Sequence, residues 1–451
     1  MTWAHIDTDN TIFILLSFEG RDSYSMAGGL GVRVTHLSQT LAKEGFTTHL
    51  FFIGDPHLKG EETGWGGKLV LHRWCQWISQ YYPSGVYQGE NEKIFDFNES
   101  IPPFVLNNII KPASRDDKIV VILAEEWHTA EAVCRLGNLL QKSGLRDKVI
   151  IFWNANNIFG FERIKWDQLS RAATITTVSR YMKHVMWRLG LNPIVIPNGI
   201  PRALLNKVNP LQSAQIRKSA AAELLLAKIA RWDPDKRWNM AVEATSRLKS
   251  RGIKTVLLAR GGMEPYGEEV VQYARRLGLR IEEARTDGHR LENYFEAIAH
   301  KDGADLINIA FYCPQELLRV IYHASDAVLA NSGREPFGLV GLETMAAGGI
   351  AFTGNTGEDY ALSFYNSIVL ETGDSEEIED YLVYLNHHAE ESERIRKNAR
   401  STALLFIWEQ ILERLIRQME YQARIQGILS QTMNTTAAEI IYKGAVVYKP
   451  G

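Results

Sequence analysis

Thr11-Ile12-Phe13-Ile14-Leu15-Leu16-Ser17-Phe18, followed by Ala27-Gly28-Gly29-Leu30-Gly31 and then by Val34, Leu37 and Leu41, is the stretch on which the fold turns. The apolar run is that of a buried strand, the glycines mark a turn, and the spacing of three and four predicts a helix that Gly45 stops. Thr48 to Ile53 adds a second apolar strand. Strand, glycine turn, helix and strand in that order build parallel sheets. The pattern repeats: strands over 118–124, 149–153, 174–178 and 194–196, with helices from Thr129 towards Gln141 and over 179–189.

Beyond the turn cluster Pro197-Asn198-Gly199 and the polar stretch Asn206 to Gln215, the pattern restarts. Strands are expected over 224–229, 255–259, 327–330 and 350–352, and helices over 239–249, 266–277, 315–322, 339–347 and 376–385. The fold class is therefore α/β, with two doubly wound layers of the same kind. The boundaries expected are 1–204 and 205–395, with a helical segment over 396–451 in which Trp408, Ile411 and Leu415 form an apolar stripe. His57 to Pro103 shows no clear period.

The chain has 451 residues, and its 45% hydrophobic and 23% charged composition is that of a globular protein with sizeable cores. A formal charge of -3 supplies no field to gather nucleic acid, so any anion site is local. Cys75, Cys134 and Cys313 have no paired spacing for zinc and are too few to staple a secreted fold, which points to a reducing cytoplasm. Asp7 and Asp9 stand where a signal peptide needs basic residues, and no apolar run approaches the ~20 residues that span a bilayer.

Four constellations carry chemistry. Gly28 and Gly29 open a helix whose free N–H groups favour an anion, although a turn needing glycine only for its dihedrals reads the same way. Glu125-Glu126-Trp127-His128-Thr129 ends a central strand, the edge at which open parallel sheets bind ligands; there His128 either meets a substrate oxygen or caps the next helix. Arg231 and Lys236 leave a strand through a turn marked by Pro234, placed to converge on a diphosphate or to lie solvated. In Arg334-Glu335-Pro336-Phe337-Gly338-Leu339-Val340-Gly341-Leu342-Glu343, one acid precedes a helix start and the second sits on an apolar helix. Paired acids suggest glycoside hydrolysis, but a helix start bearing the Gly338 and Leu339 amides suits a phosphorylated sugar.

Together, and in this order along the chain, these motifs resemble the retaining, nucleotide-sugar-dependent glycosyltransferases of family 4, distantly those of the glycogen and sucrose-phosphate synthase type. The resemblance implies the GT-B fold: two Rossmann-like domains facing a cleft, acceptor on the first, donor on the second, and the C-terminal helix packed back on the first. It implies that Gly28 and Gly29 approach the donor diphosphate, that Arg231 and Lys236 neutralise it, and that Gly338 and Leu339 contact phosphate. Glu335 would hold donor-sugar hydroxyls, Glu343 the ribose, and His128 would stand beside the reacting sugar. No cofactor or metal is implied beyond the UDP-, GDP- or ADP-sugar co-substrate, and the acceptor would be a carbohydrate or a lipid-linked hydroxyl.

The chain departs from the bacterial glycogen synthases it partly resembles. Met26 stands where they carry a lysine, and they lack the second acid supplied by Glu343. Ala230 replaces the glycine common before the family's arginine. Arg180 to Arg188 reads first as a helix covering its own domain and second as a contact with an anionic membrane. A sugar phosphorylase or nucleotide-sugar epimerase on the same fold, and a non-catalytic nucleotide-sugar sensor, are the alternatives.

Overall fold

The computed structural model describes residues 3–299 and 303–430. Residues 431–451 of the expected terminal segment lie outside the described residues. The chain divides into two compact units, the described parts of 1–176 with 412–451, and 177–411.

The first sheet comprises β1 (Thr11–Leu16), β2 (Thr47–Ile53), β3 (Glu61–Gly64), β4 (Leu69–Trp74), β5 (Ile119–Glu125), β6 (Val149–Ala155), β7 (Thr174–Thr177) and β8 (Ile194–Val195), in the order β3-β4-β2-β1-β5-β6-β7-β8. β1 runs parallel to β2 and β5, with Phe13 level with Thr48 on one side and Val121 on the other. Both sheet faces are covered, so β1, β5 and β6 are near-continuous apolar runs rather than alternating ones. β3 is antiparallel to its partner, β4, and all four of its residues are exposed.

The segment without period, His57 to Pro103, contains β3, β4 and most of a helix, Glu90–Val105. Pro102 and Pro103 lie inside that helix, which continues through a wider turn, Leu106–Ile110, into Lys111–Arg115. Neither proline has the N–H that would pair with the carbonyl four residues earlier, those of Asn98 and Glu99.

The second sheet comprises β9 (Leu224–Ile229), β10 (Thr255–Arg260), β11 (Ile281–Ala284), β12 (Leu306–Ile309), β13 (Ala327–Ala330), β14 (Ala351–Thr353) and β15 (Ile368–Val369), in the order β11-β12-β10-β9-β13-β14-β15. All its pairings are parallel. The strand period of two divides its core: Leu224, Leu226 and Leu257 enter one cluster, Leu225, Ala227 and Leu258 the other. The polar stretch read as a connection becomes a helix at Pro210, because the Asn209 side chain accepts the Leu211 amide at 3.0 Å.

Cys75, Cys134 and Cys313 are buried free thiols. Burial pushes Cys134 and Cys313 up to about 11, and Cys75 is raised by burial beside Asp96. Among the described residues no helix is long and apolar enough to cross a membrane.

Candidate functional site

In the second unit the strand order turns outward in two directions between β9 and β13, the crevice where open α/β sheets bind ligands. The loops leaving these two strands carry Arg231 with Lys236 and Ser332 with Glu335. Asp233 accepts the Asp235 amide at 2.8 Å, closing a short turn over Pro234–Lys236, and the Gly333 amide donates to the Asp235 carbonyl at 2.7 Å. These bonds tie the loops together. Lys236 Nζ consequently lies 2.8 Å from Glu335 Oε2 and 3.2 Å from Ser332 Oγ. Arg231 is exposed, while its carbonyl accepts the Trp238 indole N–H at 2.8 Å.

Glu335 is held through its backbone. Its amide donates to Thr356 Oγ1 at 2.9 Å, and its carbonyl accepts the Gly357 amide at 2.8 Å. A Cβ on Gly357 would come within 2.2 Å of the Glu335 and Pro336 carbonyl oxygens, so only glycine fits there. Gly338, with φ +80, starts the helix Leu339–Ala347, and no side chain caps it. On that helix Glu343 is half-buried and accepts the Tyr322 hydroxyl at 3.5 Å; burial pushes its carboxyl up to about 7.

Two charged groups beneath this site escape sequence reasoning. Lys228 lies in β9, 1% exposed, its Nζ donating to the Leu329 carbonyl at 3.0 Å and Asn331 Oδ1 at 2.5 Å. Burial, with Lys236 and Arg237 nearby, holds it well below the ordinary lysine value. Its only signal in the sequence is a lysine inside an apolar strand. Glu358 is buried with Oε1 unpartnered, and burial beside Glu335 raises it to about 7. Nothing local in the sequence marks it.

The first unit has its own switch point, between β1 and β5. The glycine turn follows β1, and three of its amides are engaged within the chain. Glu19, 4% exposed, takes the amides of Gly28 at 2.8 Å, Gly31 at 3.0 Å and Ala27 at 3.2 Å on one carboxylate oxygen. The other oxygen accepts Tyr87 Oη at 2.5 Å. A carboxylate thus occupies the helix start where the sequence suggests room for a phosphate. Gly29 faces open space, with nothing within 4 Å of where its Cβ would stand.

At the end of β5, Glu125 is buried and fully partnered, by Arg33 at 3.0 Å, Asn154 at 2.9 Å and Asn156 at 2.8 Å. Glu126 adopts φ +67 in an otherwise extended backbone, a strained state for a residue with a side chain. Its Oε1 accepts the Asn156 amide at 2.7 Å, and burial raises its carboxyl to about 8. His128 is 5% exposed, stacked on Phe18 at 4.3 Å and Trp127 at 4.0 Å, with Nε2 3.0 Å from Glu90 Oε1. Burial lowers its pKa although Glu90 opposes the shift, and Nδ1 has no partner. Among the described residues no group of three or more His, Cys, Asp or Glu is arranged to hold a metal ion.

Residues 212–402 match the family model described as glycosyl transferases group 1. No curated protein matches the chain in sequence. Among solved structures, a sucrose-phosphate synthase from Thermosynechococcus elongatus superposes with a TM-score of 0.65 at 18% identity, covering 91% of this chain and 100% of that one. The catalytic domain of starch synthase IV from Arabidopsis thaliana, bound to ADP and acarbose, gives 0.65 at 16% identity over 92% of this chain and 99% of that one. HepE from Anabaena, in complex with UDP and glucose, gives 0.61 at 14% identity, over 91% and 100%. At these identities the likeness is one of fold, the GT-B fold of two parallel-sheet α/β units.

Proposed function

We propose that this chain, whose residues 212–402 match the glycosyl transferases group 1 model, moves a sugar with retention from a UDP-, GDP- or ADP-sugar to a hydroxyl of a carbohydrate or lipid-linked acceptor. The observation that carries the reading is the Lys236–Glu335 pair, 2.8 Å long, at the second sheet's switch point beside an uncapped helix start. An opposed cation and carboxylate on two tied loops form a two-headed receptor. When a donor enters, Lys236 transfers its interaction to the diphosphate and Glu335 is released to accept hydroxyls of the donor sugar.

Arg231, exposed on the same turn, adds the second positive charge, and the Gly338 and Leu339 amides meet phosphate oxygens at the positive end of the Leu339–Ala347 helix. Glu343 takes the ribose hydroxyls. The reaction then breaks the bond between the anomeric carbon and the phosphate oxygen. The leaving phosphate, its charge spread over these donors, accepts the proton of the incoming hydroxyl, so no nucleophilic side chain is needed. The first unit supplies the acceptor side, with Gly28 and Gly29 at its ligand edge and His128, neutral and hydrogen-bonded to Glu90, beside the reacting sugar.

Related solved structures hold UDP and ADP, which supports a nucleotide diphosphate as the donor's leaving group. The helix Arg180–Trp187 buries Met182 and Met186 and exposes Arg180, His184 and Trp187, a surface suited to an anionic membrane if the acceptor is lipid-linked. A thermal-shift panel of UDP, GDP, ADP and their sugars tests the donor assignment, because a ligand at 100 times its Kd stabilises by about 2.7 kcal/mol. No shift with any of them refutes it. The anomeric configuration of the product tests retention.

A further inference from the structure

Lys93, in the first turn of the Glu90–Val105 helix, is 0% exposed. Its Nζ donates to the carbonyls of Gln88 at 2.6 Å, Val86 at 3.0 Å and Gly85 at 3.3 Å, and to Tyr24 Oη at 2.7 Å. Four oxygens thus share three protons. All four are neutral, burial holding the Tyr24 phenol above its ordinary value. The rings of Tyr24 and Tyr82 complete the enclosure, with centres 5.1 Å and 5.6 Å from the nitrogen. A cage of carbonyl oxygens is the chemistry that holds a monovalent cation, and here the chain supplies the cation itself. Burial pushes the ammonium down to about 8, so it stays charged at neutral pH.

The cage forms because residues 80–89 fold their carbonyls inward. Gly89, with φ +63, turns the chain into the helix, and a Cβ there would strike the Tyr82 ring at 2.3 Å. Tyr24 fixes the other side. Its carbonyl accepts the Val86 amide at 3.2 Å, and its hydroxyl donates to the Tyr82 carbonyl at 2.8 Å. Without the ammonium, the caging carbonyls would point at one another with no donor between them.

The segment held by this cage reaches the ligand edge of the first sheet. Tyr87 lies between two of the caging carbonyls, and its hydroxyl donates to Glu19, which holds the amides of the glycine turn. Glu90, one helical turn before Lys93, places Oε1 3.0 Å from His128 Nε2. The ring centres of Tyr87 and His128 are 5.9 Å apart. We infer that Lys93 is a positioning residue, an internal monovalent cation that fixes Tyr87 and Glu90 around His128 and so sets the orientation of that ring. The consequence for turnover rests on the reading of His128 as the group beside the reacting sugar; the effect on the ring itself does not.

The test uses the full chain. Lys93→Ala opens the cage, and Lys93→Met fills it with an uncharged chain. The His128 ring resonances, identified by their loss in His128→Asn, report its setting by NMR. Hydrolysis of UDP-, GDP- or ADP-glucose, with water as the acceptor, reports turnover. In Lys93→Ala the resonances are expected to move and turnover to fall about tenfold or more, while the calorimetric Kd for the nucleotide-sugar stays at the wild-type value. Potassium or ammonium chloride returns both towards wild type. Lithium chloride at the same ionic strength, whose ion is too small to span the cage, does not. Lys93→Met shows the same losses with no response to any salt. Tyr24→Phe, which removes one cage oxygen and keeps the ring, moves the resonances in the same direction by less, and stands in if neither lysine variant folds. Resonances that stay in place in folded Lys93→Ala or Tyr24→Phe, or a displacement in Lys93→Ala that potassium and lithium reverse alike or not at all, overturn the proposal. Resonances that move and return in a chain that binds no nucleotide-sugar uphold the positioning and sink the donor reading instead.

Discussion

Glu19 accepts the Gly28 amide at 2.8 Å, so the start of the Gly29–Lys43 helix is already bound to a negative charge supplied by the chain itself. A free phosphate approaching that turn meets a carboxylate that already holds three of its amides. Glu19→Ala exposes the amides of Ala27, Gly28 and Gly31 together. Leaving the buried Gly31 amide unsatisfied is expected to cost about 1–3 kcal/mol of stability by chemical denaturation. Added inorganic phosphate is then expected to raise the melting temperature of the variant and not of wild type.

Lys236 and Arg231 should behave like donors to a developing oxyanion. Lys236→Ala and Arg231→Ala are each expected to lower kcat for sugar transfer by about 10²–10³, with the melting temperature close to wild type. A variant with unaltered turnover would remove that residue from the diphosphate site.

Glu343 gives donor binding a pH dependence. Its carboxyl titrates at about 7, and the ionised form is the better acceptor for ribose hydroxyls. Nucleotide affinity is expected to rise from pH 6 to pH 8 in wild type. In Glu343→Gln, calorimetric titration should find weaker binding with that slope abolished.

Glu126 gives stability the opposite slope. Burial raises its folded pKa to about 8, above the unfolded carboxyl, so the folded state favours the protonated form. The stabilisation is complete at pH below the unfolded value and is lost as pH climbs towards 8. Glu126→Gln removes that loss, and the melting-temperature difference between variant and wild type is expected to grow in the variant's favour from pH 5 to pH 8.

Gly357→Ala tests whether the position of Glu335 matters. The new methyl would meet the Glu335 and Pro336 carbonyls at 2.2 Å, so the loop must shift. Transfer activity is expected to fall well beyond what the loss in stability explains, as comparison of kcat with the denaturation midpoint would show.

The sequence makes the architecture legible wherever a strand is buried on both faces, because runs such as Phe13 to Leu16 and Leu224 to Ala227 have few alternatives. It is silent where partners lie far away in the chain. β3 is four exposed residues, Glu61–Gly64, recognisable as a strand only by its pairing with β4. Lys93 looks like a surface residue, yet it is buried because Tyr24 and the carbonyls of Gly85, Val86 and Gln88 surround its ammonium. Pro102 and Pro103 argue against the helix that contains them. At the candidate site, the loops carrying Lys236 and Glu335 announce themselves through glycine, proline and charge, whereas Glu19 and Glu358 acquire meaning only from a turn or neighbour brought to them by folding.

The three buried thiols give the wild-type chain a chemically quiet background. With Cys134 and Cys313 titrating near 11 and Cys75 also raised, little thiolate is present at neutral pH to react with maleimides. A cysteine introduced at the fully exposed Met263 would therefore carry a fluorophore almost alone. It would stand on the loop whose Glu264 accepts the Trp232 amide at 3.0 Å. Such a label would turn ligand entry beside Arg231 into an optical signal without first stripping the native cysteines.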